Sequence, residues 1–218
     1  MRINSQPAGQ NRKRPTFIEE ARRRQIVKTA IETIAARGFS QASLAEIARK
    51  AGISKGVISY HFAGKEELIE EILACLLWEP AEFIKERVNR CESALDKLRA
   101  YVEANFEFME SHRDNYVALV DLWGRRGGSV DHDHFNAEAY EPSRRYLGRI
   151  LDMGKETGEF RSLPLLTTAS LIQASIDGVM LQWVFDEGAI DLRASRDELV
   201  EMWSDYVTTR SAKERRHE

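Results

Sequence analysis

The stretch Ser43-Leu44-Ala45-Glu46-Ile47-Ala48-Arg49-Lys50-Ala51-Gly52-Ile53-Ser54-Lys55-Gly56-Val57-Ile58-Ser59-Tyr60-His61-Phe62 carries two helix starts and one helix stop. Ser43 to Glu46 has the form of a capping box. The serine oxygen accepts an orphan amide of the first turn, and the glutamate three positions on returns a bond to the serine amide. Leu44, Ile47 and Ala48 give the helix that follows one apolar face. Ala51-Gly52 ends it, because glycine accepts the left-handed conformation of a C-terminal cap. Ser54 offers a second N-cap, and a further helix runs from it to Phe62. Helix, glycine-containing turn, helix is the pairing in which a second helix enters the DNA major groove while the first crosses the backbone.

The eight residues from Ser54 to His61 make ~12 Å of helix at ~1.5 Å per residue, the length of one half-site contact. Lys55 can neutralise a phosphate or donate to guanine, Gly56 permits close approach, and Ser59, Tyr60 and His61 offer hydrogen-bonding tips of different reach. Lys65 opens the next helix, where its ammonium and the free amides together suit a phosphate. The candidate DNA-contacting set is therefore Ser43, Ser54, Lys55, Gly56, Val57, Ser59, Tyr60, His61 and Lys65.

Charge supports that reading. Residues 1–65 hold 13 Lys and Arg against 4 Asp and Glu, net +9, while the other 153 residues hold 19 against 31, net −12. A basic head on an acidic body suits a chain of which one part meets a polyanion. Upstream, Ile26, Val27, Ala30, Ile31, Ile34 and Ala35 mark one face of a helix that begins near Phe17 and stops at Arg37-Gly38. Residues 1–15, with Arg12, Lys13 and Arg14 between prolines, read as a flexible basic arm that either enters the minor groove or stays solvated.

Downstream, Lys65-Glu66-Glu67 starts a helix with a stripe at Leu68, Ile69, Ile72, Leu73, Leu76 and Leu77, and Pro80 is expected to end or kink it. Further helical segments are expected near 81–91, 94–112, 114–126, 135–157, 164–187 and 195–210, with no convincing strand. The architecture expected is all-α, with about nine to ten helices. An arm (1–15) and a helix-turn-helix head (16–65) precede a larger helical bundle (66–218) for effector binding and dimerisation.

Several classes drop out. The longest apolar run, Ile72 to Trp78, falls well short of the roughly 20 residues of a membrane span. The polar, basic N-terminus does not read as a secretory signal, so a cytoplasmic protein is expected. Cys75 and Cys91 are too few for a disulfide scaffold or a four-thiolate zinc site and read as reduced helical cysteines. Asp131-His132-Asp133-His134 has ligating atoms, but adjacent residues converge poorly on one ion, and a solvated loop is expected. No metal or cofactor is expected.

Ala45 to Gly56, then Tyr60-His61-Phe62, then Gly64-Lys65-Glu66-Glu67-Leu68 resemble the DNA-binding head of TetR-type transcriptional regulators, over about residues 20–72. The remainder is similar in length, helical pattern and segments such as Thr157-Gly158-Glu159-Phe160-Arg161 and Asp177-Gly178-Val179. In one departure, Ser59 stands where family members often have tyrosine. The version Ile58-Ser59-Tyr60-His61-Phe62 is similar to repressors of choline-to-betaine genes.

The resemblance implies a homodimer joined through its last two helices, a palindromic double-stranded DNA operator, and a cavity whose small-molecule effector changes the separation of two heads. Apolar faces at Leu171, Ile172, Ile176, Val179 and Trp183, and at Leu199, Met202, Trp203 and Tyr206, are candidate dimer surfaces. Phe106, Trp123, Tyr146 and Trp183 sit mid-helix in the segments the family uses and are candidate pocket residues. Glu103, Glu107, Asp121 and Asp177 would permit a cationic ligand, or lie on the surface. Competing readings are a body that docks a protein partner or takes no effector, and an all-helical enzyme. For the enzyme there is no nucleophile elbow, no phosphate-cradling glycine loop and no metal-helix motif.

Overall fold

In a computed structural model the described residues are 16–123 and 140–208, which form nine helices and no strand. The helices are α1 (Phe17–Arg37), α2 (Leu44–Ala51), α3 (Lys55–His61), α4 (Lys65–Val88), α5 (Ala94–Ser111), α6 (Arg113–Trp123), α7 (Glu141–Thr157), α8 (Leu165–Phe185) and α9 (Leu192–Thr208). The basic arm, Gly127-Gly128 and Asp131 to His134 lie outside the described residues, as do the expected helical residues 124–126, 135–139 and 209–210. Among the described residues no helix is long and apolar enough to cross a membrane.

Two hydrophobic cores organise the chain. Ile26, Ile34, Ile47, Ile58 and Phe62 from α1 to α3 meet Leu68, Ile72 and Leu76 of α4 in the first. Ala118 and Leu122 of α6 complete it, each almost fully buried. The second takes Ile84 and Val88 from the far half of α4 and Tyr116 from α6, and continues through α5, α7, α8 and α9. Helices α4 and α6 thus have one part in each core.

That sharing explains why Pro80 does not end α4. The helix continues to Val88 with Pro80 inside it, although proline has no N–H to give the carbonyl four residues back. Burial of Leu76 on one side and of Ile84 and Val88 on the other outweighs one missing bond. The separate segment expected at 81–91 is the second half of α4, and Cys91 lies in the turn beyond it rather than on a helix.

Local rules set the remaining ends. Ser43 Oγ accepts from the Glu46 amide at 3.2 Å, but the reciprocal half of the expected box is absent. The Glu46 carboxylate instead receives Arg49 at 2.7 Å and pairs with Arg37 at 3.1 Å, and the Ser43 amide donates to the Gln41 carbonyl. A complete capping box stands at Thr16 and Glu19, at the start of α1. α9 begins three residues before the expected point because the Asp191 carboxylate accepts the Arg193 and Ala194 amides, both at 3.0 Å.

The segment Gly158 to Arg161 works as a clamp. Gly158 closes α7 at φ 77°, and Glu159 accepts the first amides of α5, Ala94 and Leu95, at 3.1 Å each. Phe160 packs onto Gly154, where an added Cβ would come within 2.1 Å of its ring. Arg161 donates through its amide to Val207 and through Nε to Tyr206, tying down the end of α9.

Candidate nucleic-acid interface and effector cavity

α3 is seven residues long, and Ile58 is its one buried side chain. Ile58 and the following Phe62 plug the helix into the first core. Lys55, Gly56, Ser59 and Tyr60 are exposed, and Val57 and His61 are half-buried. The turn before it needs a left-handed residue, supplied by Gly52 at φ 67°. Ser43 and Ser54 are exposed N-caps whose oxygens accept backbone amides, leaving each hydroxyl proton able to donate outward.

The far end of α3 is held by a residue that no local pattern marks. Arg23 of α1 donates to the His61 carbonyl, lies 4.2 Å above the Phe62 ring, and pairs with Glu67 and Glu71 of α4 at 3.5 and 3.0 Å. Lys65 is turned to the α1–α2 turn. Its Nζ lies 4.0 Å from the Phe39 ring centre and donates to the Phe39 carbonyl at 3.4 Å. On the other side of that turn Asp121 of α6 accepts the Phe39 amide at 2.6 Å. Phe39 is therefore gripped by α4 and α6 together.

A cavity of about 490 Å³ lies in the body, walled by α4, α5, α6, α8 and the start of α7. Leu76, Ile84, Leu119 and Met180 contribute apolar surface, and Tyr101, Tyr116, Trp123 and Tyr140 contribute aromatic rings. Among the described lining residues Asp177 is the one charged group, and there is no Lys or Arg. Gln173 Nε2 donates to Asp177 at 2.9 Å, and the Tyr101 hydroxyl donates to Gln173 Oε1 at 2.6 Å. Tyr140 also hydrogen-bonds the carboxylate, which lowers its pKa, but burial dominates and raises it to about 6. Burial likewise pushes the Tyr101 and Tyr116 hydroxyls well above their ordinary range.

Of the four candidate pocket residues, Trp123 lines this cavity and stacks with Tyr140 at 5.7 Å. The other three do not. Tyr101, Asn105 and Met109 give α5's cavity face, and Phe106 is turned about 100° from Asn105 into the body core. Tyr146 faces Asn89 and the Arg149 guanidinium. Trp183 is buried beneath Arg113. Among the four candidate acidic residues only Asp177 reaches the cavity: Glu107 is paired with Arg87 at 2.7 Å, Glu103 is exposed, and Asp121 holds Phe39.

The candidate dimer faces also divide. Ile172, Ile176, Trp183 and Trp203 lie inside the protomer, and the Trp203 indole donates to Ser175 Oγ at 3.0 Å, joining α9 to α8. Leu171, Met202 and Tyr206 are exposed, Val179 and Leu199 half-buried, and Phe185, which the apolar pattern did not single out, is 75% exposed. α8 is apolar on nearly every side, so its sequence does not say which face is left over.

A larger cleft, about 840 Å³, separates α1 from the α5–α6 corner. Three of its carboxylates are ion-paired: Glu71 with Arg23, Glu32 with Lys50, Glu110 with Arg193.

Comparison with known proteins accounts for both regions. The profile of the bacterial regulatory proteins of the tetR family matches residues 26–72, and that of the BetI-type transcriptional repressor C-terminal region matches residues 94–210. The chain is 26% identical over 208 residues to the HTH-type transcriptional regulator BetI 1 of Chromohalobacter salexigens, covering 92% of this chain and 95% of that one. It is 25% identical over 191 residues to the fatty acid metabolism regulator protein of Bacillus subtilis, covering 87% and 94%. Among solved structures it is similar to a candidate transcriptional regulator from Saccharomonospora viridis in complex with choline (TM-score 0.78, 22% identity, 88% of this chain and 100% of that one). It is also similar to FadR from Bacillus subtilis in complex with stearoyl-CoA (TM-score 0.71, 23% identity, 84% and 98%).

Proposed function

The chain belongs to the TetR family of bacterial transcriptional regulators, and from that premise we propose that it is a homodimeric repressor, released from a palindromic operator by an organic cation. Its chemistry is binding rather than bond-making. The observation that supports operator reading is the exposure of α3, a helix that buries Ile58 and leaves its polar side chains outward. Ser59, Tyr60 and His61 face base edges. Ser43, Ser54 and Lys55 hold phosphates, and Gly56 and Val57 allow the backbone to approach. Lys65 keeps the α1–α2 turn in place beside them.

Two copies pair through Leu171, Val179 and Phe185 of α8 and Leu199, Met202 and Tyr206 of α9. That pairing sets the α3 helices one DNA turn apart, ~34–36 Å, or at a longer spacing. For the effector, a half-buried carboxylate in an aromatic-walled cavity supports a cation with apolar substituents over an anionic or purely aliphatic one. A cavity in the body favours an effector over a body whose core is solid.

α6 joins the two activities. Tyr116, Leu119 and Trp123 line the cavity, while Ala118 and Leu122 pack in the head core and Asp121 grips Phe39. A ligand that moves α6 moves the turn from which α2 starts.

Affinity selection of sheared genomic DNA on the purified protein, followed by sequencing, tests the first half and should return a palindrome. Fluorescence anisotropy on that site tests the second: choline and phenyltrimethylammonium should release the DNA, and an acyl thioester should not. Binding without sequence preference overturns the operator reading, and release by the acyl thioester alone overturns the cation.

A further inference from the structure

We propose that Glu19, at the first turn of α1, is a specificity-determining residue of the DNA-reading surface: its carboxylate accepts the Tyr60 hydroxyl's hydrogen bond, so that the Tyr60 oxygen is left to read hydrogen-bond donors in the groove. This rests on the operator reading above. Tyr60 is 74% exposed on α3, and its hydroxyl donates to Glu19 Oε1 at 3.1 Å. The carboxylate is fixed from behind, since Oε2 receives the Thr16 amide at 2.7 Å and the Thr16 hydroxyl at 2.9 Å. The Tyr60 ring stands edge-on to His61 at 5.0 Å. Both ends of the pair are thereby held before DNA arrives, and less side-chain freedom is lost on docking.

The direction of the bond has a chemical consequence. With its O–H directed at Glu19, the phenolic oxygen offers lone pairs only. In the major groove the partners for an acceptor are the exocyclic amino groups of adenine and cytosine, whereas guanine O6 and N7, thymine O4 and phosphate oxygens need a donor. Bonds from Thr16 and Tyr60, and the nearby His61, hold the Glu19 carboxyl below its ordinary range, so it is charged wherever the protein is used. A fixed negative charge beside the reading helix also opposes phosphates, lowering affinity for DNA that offers Tyr60 no compensating contact. Glu19 thus sharpens discrimination twice, by proton direction and by repulsion.

The experiment uses the full-length protein, the operator recovered for it, and a set of duplexes with every base pair of one half-site changed in turn. Wild type should show one position with about a tenfold preference for the amino-bearing base. Tyr60→Phe should lose that preference. Glu19→Ala, which frees the Tyr60 O–H to donate elsewhere, should turn it toward the acceptor-bearing base at the same position. Glu19→Gln has a single acceptor oxygen, which keeps the cap with the Thr16 amide, so its NH2 group faces the Tyr60 oxygen and leaves the phenolic proton free. It should shift the preference in the same direction as Glu19→Ala, bind non-specific DNA several-fold more tightly, and steepen the salt dependence of binding by about one unit of slope per head. Thermal melts of Glu19→Gln and wild type should coincide, so a loss through unfolding is told apart. Wild-type base preference and salt slope in both Glu19 variants would overturn the proposal. Absence of any preferred sequence in wild type, read before any substitution is made, would overturn the operator reading beneath it.

Discussion

The head and the body place their reactive side chains in opposite directions. In α2 and α3 the polar groups point out, the helices are short, and each is started by a serine cap and separated by a left-handed glycine. In the body they point in: Tyr101 and Gln173, 72 residues apart in the chain, are hydrogen-bonded inside a cavity that also holds Asp177. The difference follows from the partners. A DNA groove is met from outside by a rigid convex helix, whereas a small molecule has to be surrounded. α6 is where the two designs meet, one set of its residues in the head core and another on the cavity wall. The comparison breaks if either region works without the other.

The largest effect is expected from separating two copies. Leu171 is 52% exposed on α8, so Leu171→Arg leaves the protomer's core intact while placing a charge on the proposed dimer face. Sedimentation should show a monomer with an unchanged melting temperature. Operator affinity should fall about a thousandfold, as two tethered heads become one, while non-specific binding falls far less. A dimer that persists would mean pairing through another surface.

Next is the body's own chemistry. Asp177→Asn keeps the shape and the Gln173 contact but removes the charge. Affinity for phenyltrimethylammonium should drop about 100-fold, the usual scale for stranding one member of a buried charge pair. A neutral isostere should bind both proteins alike, and operator affinity without ligand should not change. Equal losses for cation and isostere would show that Asp177 shapes the cavity rather than reading charge.

The link between the regions is tested by Asp121→Ala, which strands the Phe39 amide. Operator affinity should change by less than a few-fold, and cation affinity hardly at all. The factor by which cation weakens DNA binding should shrink about tenfold, within the ordinary range of coupling energies. Undiminished release would show that α6 is not the route.

The same contrast explains what could be read from the chain. Gly52, Ser43, Ser54 and the apolar positions around them act within a few residues of themselves, so α1 to α3 and their exposed tips were legible. Arg23 was not, because its partners at His61, Glu67 and Glu71 are close only after α1, α3 and α4 have packed. In the body the helices were legible but their rotations were not. Phe106 is one residue from the cavity-lining Asn105, and the exposed Leu171 is one residue from the buried Ile172. Trp123 is legible and Tyr101 and Gln173 are not for the same reason: a residue on a largely apolar helix carries no mark of which neighbour it faces.

The smallest effect, and the one most specific to the body, is in pH. Burial raises the Asp177 carboxyl from 3.8 to about 6 in the folded protein. An unfolded chain releases that proton near 3.8, so between about pH 4 and 6 the folded state holds more protons than the unfolded one. Stability from this group therefore falls as pH rises through that window and levels above it. A cation needs the carboxylate, so binding has the opposite slope. Affinity for phenyltrimethylammonium should climb up to tenfold per unit as pH rises toward about 6 and be flat from 7 to 8, while Asp177→Asn shows no such climb. DNA binding by the head, measured without ligand, should follow one pH profile in wild type and Asp177→Asn, since the head is identical in both. If operator affinity alone showed a break near pH 6 that Asp177→Asn abolished, the carboxylate would be acting on the head without any effector, and the division between an outward-reading head and an inward-reading body would have to be redrawn.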